Sequence, residues 1–235
     1  QCEDPVDFRD IDNKLNVLAD LFNIDRTVKR KFVKADFKYE DMKAKINSTY
    51  GEVLDCHNKL DDLDNELREY RRLRENMGYL KSINIDFGVL KGLNFFSFKI
   101  GKFTRENYDK LNDNIENISS IIYEISSIPG YQVVISITPK VLEAEVDRVF
   151  KSLNFEEISI PYELGCTYED IMTELDRKIQ NTEADISKLN KSLDSLKKKY
   201  GTAVDESYSR ARMYEKILEV NRESACANKF FIHSG

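Results

Sequence analysis

The side chains that could carry out acid–base or metal chemistry are few in this chain of 235 residues. Only two histidines occur, His57 and His233, and neither belongs to a set of residues spaced as zinc ligands are. A mechanism built on an imidazole base is therefore poorly supplied. We expect both histidines to be packed or surface residues.

An acidic cluster could hold a hard cation, and it consists of Asp61, Asp62, Asp64 and Glu66. Calcium loops arrange such carboxylates around a turn that contains glycine. This run instead falls within a helical pattern, so we expect a solvated helix face. The four cysteines form no CxxC pair and are expected to be reduced thiols of a cytoplasmic protein: Cys2, Cys56, Cys166 and Cys226.

Binding of nucleotides or nucleic acids is also poorly supported. Gly88 and Gly92 are isolated and no Lys–Ser pair follows them, so no phosphate-binding loop is present. The chain has 42 acidic and 36 basic residues, a net charge of −6, which is opposite to what phosphate neutralisation requires. We therefore expect no cofactor, no metal and no catalytic residue, and a protein that is not an enzyme.

Two long helical stripes dominate the sequence. Apolar residues recur every three or four positions from about Asp41 to Leu80, and again from about Thr167 to Ala225. Thr167 and Asp170 are spaced as in a capping box at the start of the second segment. Stripes of this length must be covered, so we predict that the segments pair as an antiparallel coiled coil. Pairing between two chains is an alternative that the sequence leaves open.

The segment between the two stripes has a different hydrophobic pattern, which favours a small α/β domain. Alternating and β-branched runs predict strands, and threonines predict helix starts. The expected elements are a strand over Phe95–Ile100, a helix capped by Thr104, strands over Ile121–Ile125 and Gln132–Ile137, a helix begun by Thr138 and Pro139, and a strand over Phe155–Ile160. Their order, β-α-β-β-α-β, is that of ferredoxin-like domains.

The two ends of the chain predict part of a second lobe. Residues 9–22 form an amphipathic helical pattern, and residues 230–232 resemble a single strand without a neighbour in sequence. The predicted fold class is α+β: a long antiparallel two-helix coiled coil with an inserted ferredoxin-like (βαββαβ) distal lobe and a truncated proximal α/β lobe. The predicted domains are a proximal part (1–40), the first coil helix and connector (41–92), the distal lobe (93–162), the returning helix (163–227) and a proximal strand (228–235).

Several local segments carry a family resemblance. Val146–Phe155 resembles a helix that ends just before the last distal strand, and Glu157–Gly165 with Thr167 resembles the entry into the second coil. Phe230–Gly235 looks like a strand that leads into a Gly-Trp-Val-Pro turn. Together with the order of elements, these segments resemble the N-terminal cytosolic domain of the subunit I family of V-type/A-type ATPases, called subunit a in eukaryotes.

The resemblance implies a non-catalytic stator arm on the cytoplasmic side of a membrane. Such an arm links the ion-translocating membrane sector to peripheral stalks made of E/G subunits during proton or sodium transport. The implied partners are the E/G subunits, other V/A-ATPase subunits and the membrane half of the same subunit. The candidate stalk-docking residues lie on the first helix of the distal lobe: Tyr108, Lys110, Asn112 and Asn114.

Two other classes of protein share parts of this pattern. A hinge like those of chromosome-maintenance proteins also interrupts an antiparallel coil and mediates protein–protein association, but it predicts longer arms and a basic surface. A coiled-coil tether or adhesin predicts export signals or repeats, and neither is seen in the sequence.

Overall fold

The structure is a computed structural model and describes residues 5–32, 39–83 and 85–231. Two compact units divide the chain: residues 1–62 with 186–235 form the first unit, and residues 63–185 form the second. Both divisions fall inside long helices. The helices are α1 (Pro5–Phe22), α2 (Tyr39–Gly78), α3 (Phe87–Lys91), α4 (Arg105–Asn112), α5 (Glu143–Ser152) and α6 (Tyr168–Phe231). The strands are β1 (Phe96–Thr104), β2 (Ile121–Ile128), β3 (Tyr131–Pro139) and β4 (Glu156–Glu157).

The first unit is built on three helices. Its apolar core consists mainly of Ile11, Leu15, Leu18 and Phe22 of α1, Met42, Ile46 and Val53 of α2, and Val204, Tyr208 and Ala211 of α6. These residues recur at helical spacing, so each helix buries one face and leaves its charged face in water. The predicted amphipathic helix near the start of the chain is therefore confirmed.

Helices α2 and α6 run antiparallel within each unit. In the first unit, the Cys56 thiol contacts the Leu189 carbonyl at 3.7 Å, and Tyr200 OH donates to Glu52 at 3.0 Å. In the second unit, Arg71 Nη2 lies 2.7 Å from Glu183 Oε1. The prediction that the two stripes pair within one chain is confirmed, whereas regular coiled-coil geometry stays a prediction.

The second unit contains one antiparallel sheet with the strand order β2-β3-β1-β4. Along the chain the elements follow the predicted order β-α-β-β-α-β. Gly130 closes the β2–β3 hairpin with φ +83°, a conformation that glycine adopts without strain. Two predicted caps are confirmed: Thr104 Oγ1 accepts from Asn107 N–H at 3.3 Å, and Thr167 Oγ1 accepts from Asp170 N–H at 3.2 Å.

Each face of this sheet has its own apolar cluster. The face beneath α4 and α5 packs Phe103, Leu111, Val134, Val146 and Phe150. The opposite face is covered by residues at the adjoining ends of α2 and α6 and by α3, and its cluster includes Met77, Leu80, Phe87, Ile100, Val133, Ile135, Ile171 and Leu175. The sheet therefore separates two apolar clusters and contributes side chains to both.

Three sequence predictions are wrong in detail. Thr138 does not begin a helix: β3 continues through Pro139, which pairs with Phe96, and Thr138 Oγ1 donates to Ser120 Oγ at 2.8 Å. The last strand is not Phe155–Ile160 but only Glu156–Glu157, because the chain leaves the ladder after Ile158 N–H donates to the Ile100 carbonyl.

The strand expected at 228–235 is not observed in the part of that segment that the structure describes. Residues 228–231 are helical and continue α6, while 232–235 lie outside the described residues. A helix satisfies its backbone groups internally, whereas a strand needs a neighbour to pair with. None of the four described strands pairs with this segment.

Candidate docking surface

Helix α4 is short and places its residues on two clearly different faces. Leu111 is fully buried against the sheet, and Tyr108, three residues earlier, is half-buried in the same cluster. This spacing keeps both side chains on one face of the helix. Lys110 and Asn112 project to the solvent side, so only part of the predicted docking set is accessible.

The side chain of Tyr108 joins α4 to the sheet through a hydrogen bond. Its hydroxyl donates to Glu124 Oε1 of β2 at 2.5 Å, and Glu124 Oε2 accepts from Gln132 Nε2 at 3.1 Å. Burial raises the pKa of Tyr108, and the hydrogen bond and negative charge of Glu124 raise it further. The phenol therefore stays protonated near neutral pH and acts as a hydrogen-bond donor.

The other three predicted residues are exposed and lie close together on α4 and the turn that follows it. Lys110 Nζ lies 2.6 Å from Glu106 Oε1, and this contact lowers the pKa of Glu106. Asn114 Nδ2 donates to the Lys110 carbonyl at 2.9 Å, while Asn112 is exposed at the end of the helix. An exposed ion pair of this kind contributes little to stability, so these side chains remain available to a partner.

Sequence reasoning missed the charge of this surface. Exposed acidic residues recur at intervals of three and four along α4 and the next turn: Glu106, Asp109, Asp113 and Glu116. We call this set the acidic stripe. Over residues 105–117 the only bases are Arg105 and Lys110, and Arg105 Nη2 donates to Ser127 Oγ of β2 at 2.9 Å. The spacing was visible in the sequence and predicts one acidic helix face.

Strand β2 borders α4 and forms one edge of the sheet. Among the described strands it pairs only with β3, and its residues Ile121 and Tyr123 are 71% and 69% exposed. Its second half is covered, because Ser82 Oγ donates to the Ile125 carbonyl at 3.1 Å and Ser126 Oγ donates to the Tyr79 carbonyl at 2.9 Å. The sequence predicted the strand but could not predict its place at an edge.

Those residues considered for chemistry that the structure describes lie apart from one another. His57 Nε2 lies 3.6 Å from Asp61 Oδ2, one helical turn away on α2, and His233 lies outside the described residues. The acidic cluster over 61–66 occupies the exposed face of α2. No group of three His, Cys, Asp or Glu residues in the described part of the chain could hold a metal ion.

The remaining candidates are equally separate. Burial raises the pKa of the Cys56 thiol, which makes it a poor nucleophile. Cys166 is exposed, whereas nothing is described for the side chains of Cys2 and Cys226. In the described ranges, no helix is both long and apolar enough to cross a membrane.

Comparison with known proteins gives one kind of match. No protein-family model and no curated protein sequence matches the chain. Its fold is similar to the crystal structure of the cytoplasmic N-terminal domain of subunit I, homologue of subunit a, of V-ATPase. The TM-score is 0.64 at 8% sequence identity, over 90% of this chain and 72% of that chain. At this identity the similarity concerns the fold alone.

Proposed function

We propose that this chain is a non-catalytic stator arm of a rotary V/A-type ATPase, which links the ion-translocating membrane sector to the peripheral E/G stalks. The observation that carries the proposal is the fold similarity, because it covers 90% of the chain. The arm works on the cytoplasmic side of the membrane, in transport of protons or sodium ions. The membrane half of the same subunit supplies the ion path.

The helix pair suits a part that carries load. Helices resist stretching because every turn is closed by backbone hydrogen bonds. In the second unit, Arg71 contacts Glu183 and Arg74 contacts Asp176, so ion pairs join α2 to α6 beside the apolar stripe. Each exposed pair adds little stability alone, but together the pairs oppose sliding of one helix along the other.

Residues 93–162 act in this proposal as a ferredoxin-like distal lobe that holds a stalk, and residues 1–40 belong to a proximal lobe. Segments 41–92 and 163–227 are the outgoing and returning helices. Stalk docking uses the exposed side of α4 and the turn that follows it, where Lys110, Asn112 and Asn114 offer one cation and two amides. Tyr108 acts indirectly, since its bond to Glu124 holds α4 against β2.

Binding of a purified E/G heterodimer to the immobilised chain tests the proposal. The double variant Lys110→Glu, Asn114→Asp adds negative charge to α4 and the turn that follows it, and is expected to weaken binding about tenfold or more, since each 1.4 kcal/mol is a factor of ten. Lys151→Glu is the matched control, because Lys151 is exposed on the neighbouring α5. Absence of binding by the unaltered chain would refute the stator function, and equal weakening by the control would refute docking on α4.

A further inference from the structure

We propose that the open edge of β2, over Ile121–Glu124, is a second interaction surface, and that its partner is an extended segment of another protein in which apolar and basic residues alternate. The proposal goes beyond stalk docking, because its surface is the open edge of β2 and not the exposed side of α4. It rests on an unpaired strand edge, on exposed apolar side chains along that edge and on uncompensated negative charge beside it.

The backbone of this edge is ready to pair. Residues Ile121–Glu124 are in continuous register with Ile137–Val134 of β3, and β2 has no strand on its other side in the described part of the chain. An edge strand presents unpaired N–H and C=O groups to any extended segment that approaches it. The register then shifts between Glu124 and Ser126, so the pairing surface is four residues long.

One face of this edge is apolar. Ile121 and Tyr123 lie opposite Ile137 and Ile135, so all four side chains share one face of the sheet. Phe96 of β1 is 43% exposed on the same face. Apolar side chains that remain exposed next to an open edge are typical of interaction sites. A segment added here would place apolar side chains beside Ile121 and Tyr123.

The other face of the edge is negatively charged. Glu124 points to the side of α4 and accepts hydrogen bonds from Tyr108 and Gln132, two neutral donors that leave its charge uncompensated. Both Glu124 and Asp109 of the acidic stripe disfavour ionisation of Tyr108. Side chains that alternate toward this face would meet carboxylates, so a basic residue fits each of those positions.

The same charge disfavours a second copy of this chain as the occupant. Two β2 edges paired antiparallel about a twofold axis would bring two α4 helices onto the same face of the joined sheet. The acidic stripes Glu106, Asp109, Asp113 and Glu116 would then face each other. Like charges at an interface cost binding energy, whereas a basic partner gains from them.

The test uses the full chain, isotope-labelled for amide NMR, and a short synthetic peptide in which valine and lysine alternate. We expect shift changes confined to the amides of residues 109–124 and their β3 partners. A peptide with glutamate in place of lysine is expected to bind with an affinity at least about tenfold lower. Two further peptides are N-methylated, each on one of the two alternate sets of backbone amides, so that only one of them loses the amides that face β2. If the peptide pairs through its backbone, methylation of that set should abolish binding, whereas simple side-chain contact would be affected equally by both.

Two variants complete the design. Glu124→Gln is expected to weaken binding of the lysine peptide about threefold to tenfold and to reduce its salt dependence. Glu145→Gln on exposed α5 is the control and should change neither.

Equal binding of the lysine and glutamate peptides, or of both N-methylated peptides, would overturn the proposal. A chain that sediments as a dimer, and becomes monomeric in Tyr123→Thr, would also overturn it by assigning the edge to a second copy. Binding of E/G heterodimers through α4 is measured separately and can succeed or fail alone.

Discussion

The two units bury their apolar residues in different ways. The first unit has one cluster shared by three helices, whereas the second has two clusters separated by a sheet. Helices satisfy their own backbone groups along most of their length, so the described helices of the first unit present their side chains, rather than a row of unpaired backbone groups, to their surroundings. A sheet leaves an edge, so the second unit also presents backbone. Partner binding through the backbone is therefore open to the second unit in a way that the first unit's helices do not offer.

The largest test of this comparison removes a core side chain from the second unit. Phe103 is fully buried and contacts Phe150 and Phe155 at ring-centroid distances of 5.3 and 4.8 Å. Phe103→Ala is expected to lower the free energy of unfolding by about 3–5 kcal/mol. Hydrogen exchange should show lost protection in residues 96–157 and unchanged protection in α1. Equal loss in both units would show that they unfold as one.

A glycine from each unit sharpens the contrast. A Cβ at Gly101 would lie 2.3 Å from the Phe155 ring and 2.5 Å from the Glu156 carbonyl oxygen, whereas a Cβ at Gly51 would have nothing within 4 Å. Gly101→Ala should destabilise the protein by about 1–3 kcal/mol through overpacking. Gly51→Ala lies inside α2 and should stabilise it by about 0.5–1 kcal/mol. Urea titrations of both variants measure the two effects, and the same sign for both would contradict the structure.

A charged contact tests the first unit next. Arg212 Nη2 lies 2.9 Å from Asp12 Oδ1, and both side chains are about one-quarter exposed, at 25% and 23%. Burial opposes the charge of Arg212, but hydrogen bonds to Tyr208 and Glu215 and the charge of Asp12 raise its pKa overall. Asp12→Asn should cost about 1–2 kcal/mol, because it removes the more buried of two carboxylate partners of Arg212 and leaves only the more exposed Glu215. Asp10→Asn removes a more exposed partner of Lys14 and should cost less in the same thermal unfolding assay.

The smallest expected effect concerns the tie between α4 and β2. Tyr108→Phe removes the hydrogen bond to Glu124 and should lower stability by about 0.5–1 kcal/mol at neutral pH. The pKa of Tyr108 is raised in the folded state, so its contribution is complete below the pKa of an unfolded tyrosine, about 10. That contribution should fall as the pH rises above this value. Denaturant midpoints of both proteins across that range should converge, and a constant difference would contradict the assignment.

Much of the fold could be predicted because the signals that define a helix lie within the segment that forms it. The helix predicted from about Asp41 to Leu80 is observed as Tyr39–Gly78, and the caps at Thr104 and Thr167 were predicted from residue type alone. Thr138 was misassigned because its Thr-Pro signal is also local, whereas the pairing of Phe96 with Pro139 that extends β3 is not. Tertiary pairing overrode the local signal.

The candidate site also has a part that local sequence predicts and a part that depends on tertiary structure. The exposure of Lys110 and Asn112 and the acidic stripe follow from helical spacing in α4. The partner of Tyr108 does not, because Glu124 lies in a different element and only the folded sheet brings the two together. The open edge of β2 depends on strand order, which no single segment of sequence encodes.

The register shift in β2 has one more consequence. Ile125 is an extra residue between Glu124 and Ser126, which pair with Val134 and Val133 of β3. In the proposed pairing, this extra residue interrupts the ladder where the covered half of β2 begins, so an incoming segment can pair with four residues at most. An edge this short is a poor template for filament growth, so solutions of the chain are expected to stay free of turbidity during storage.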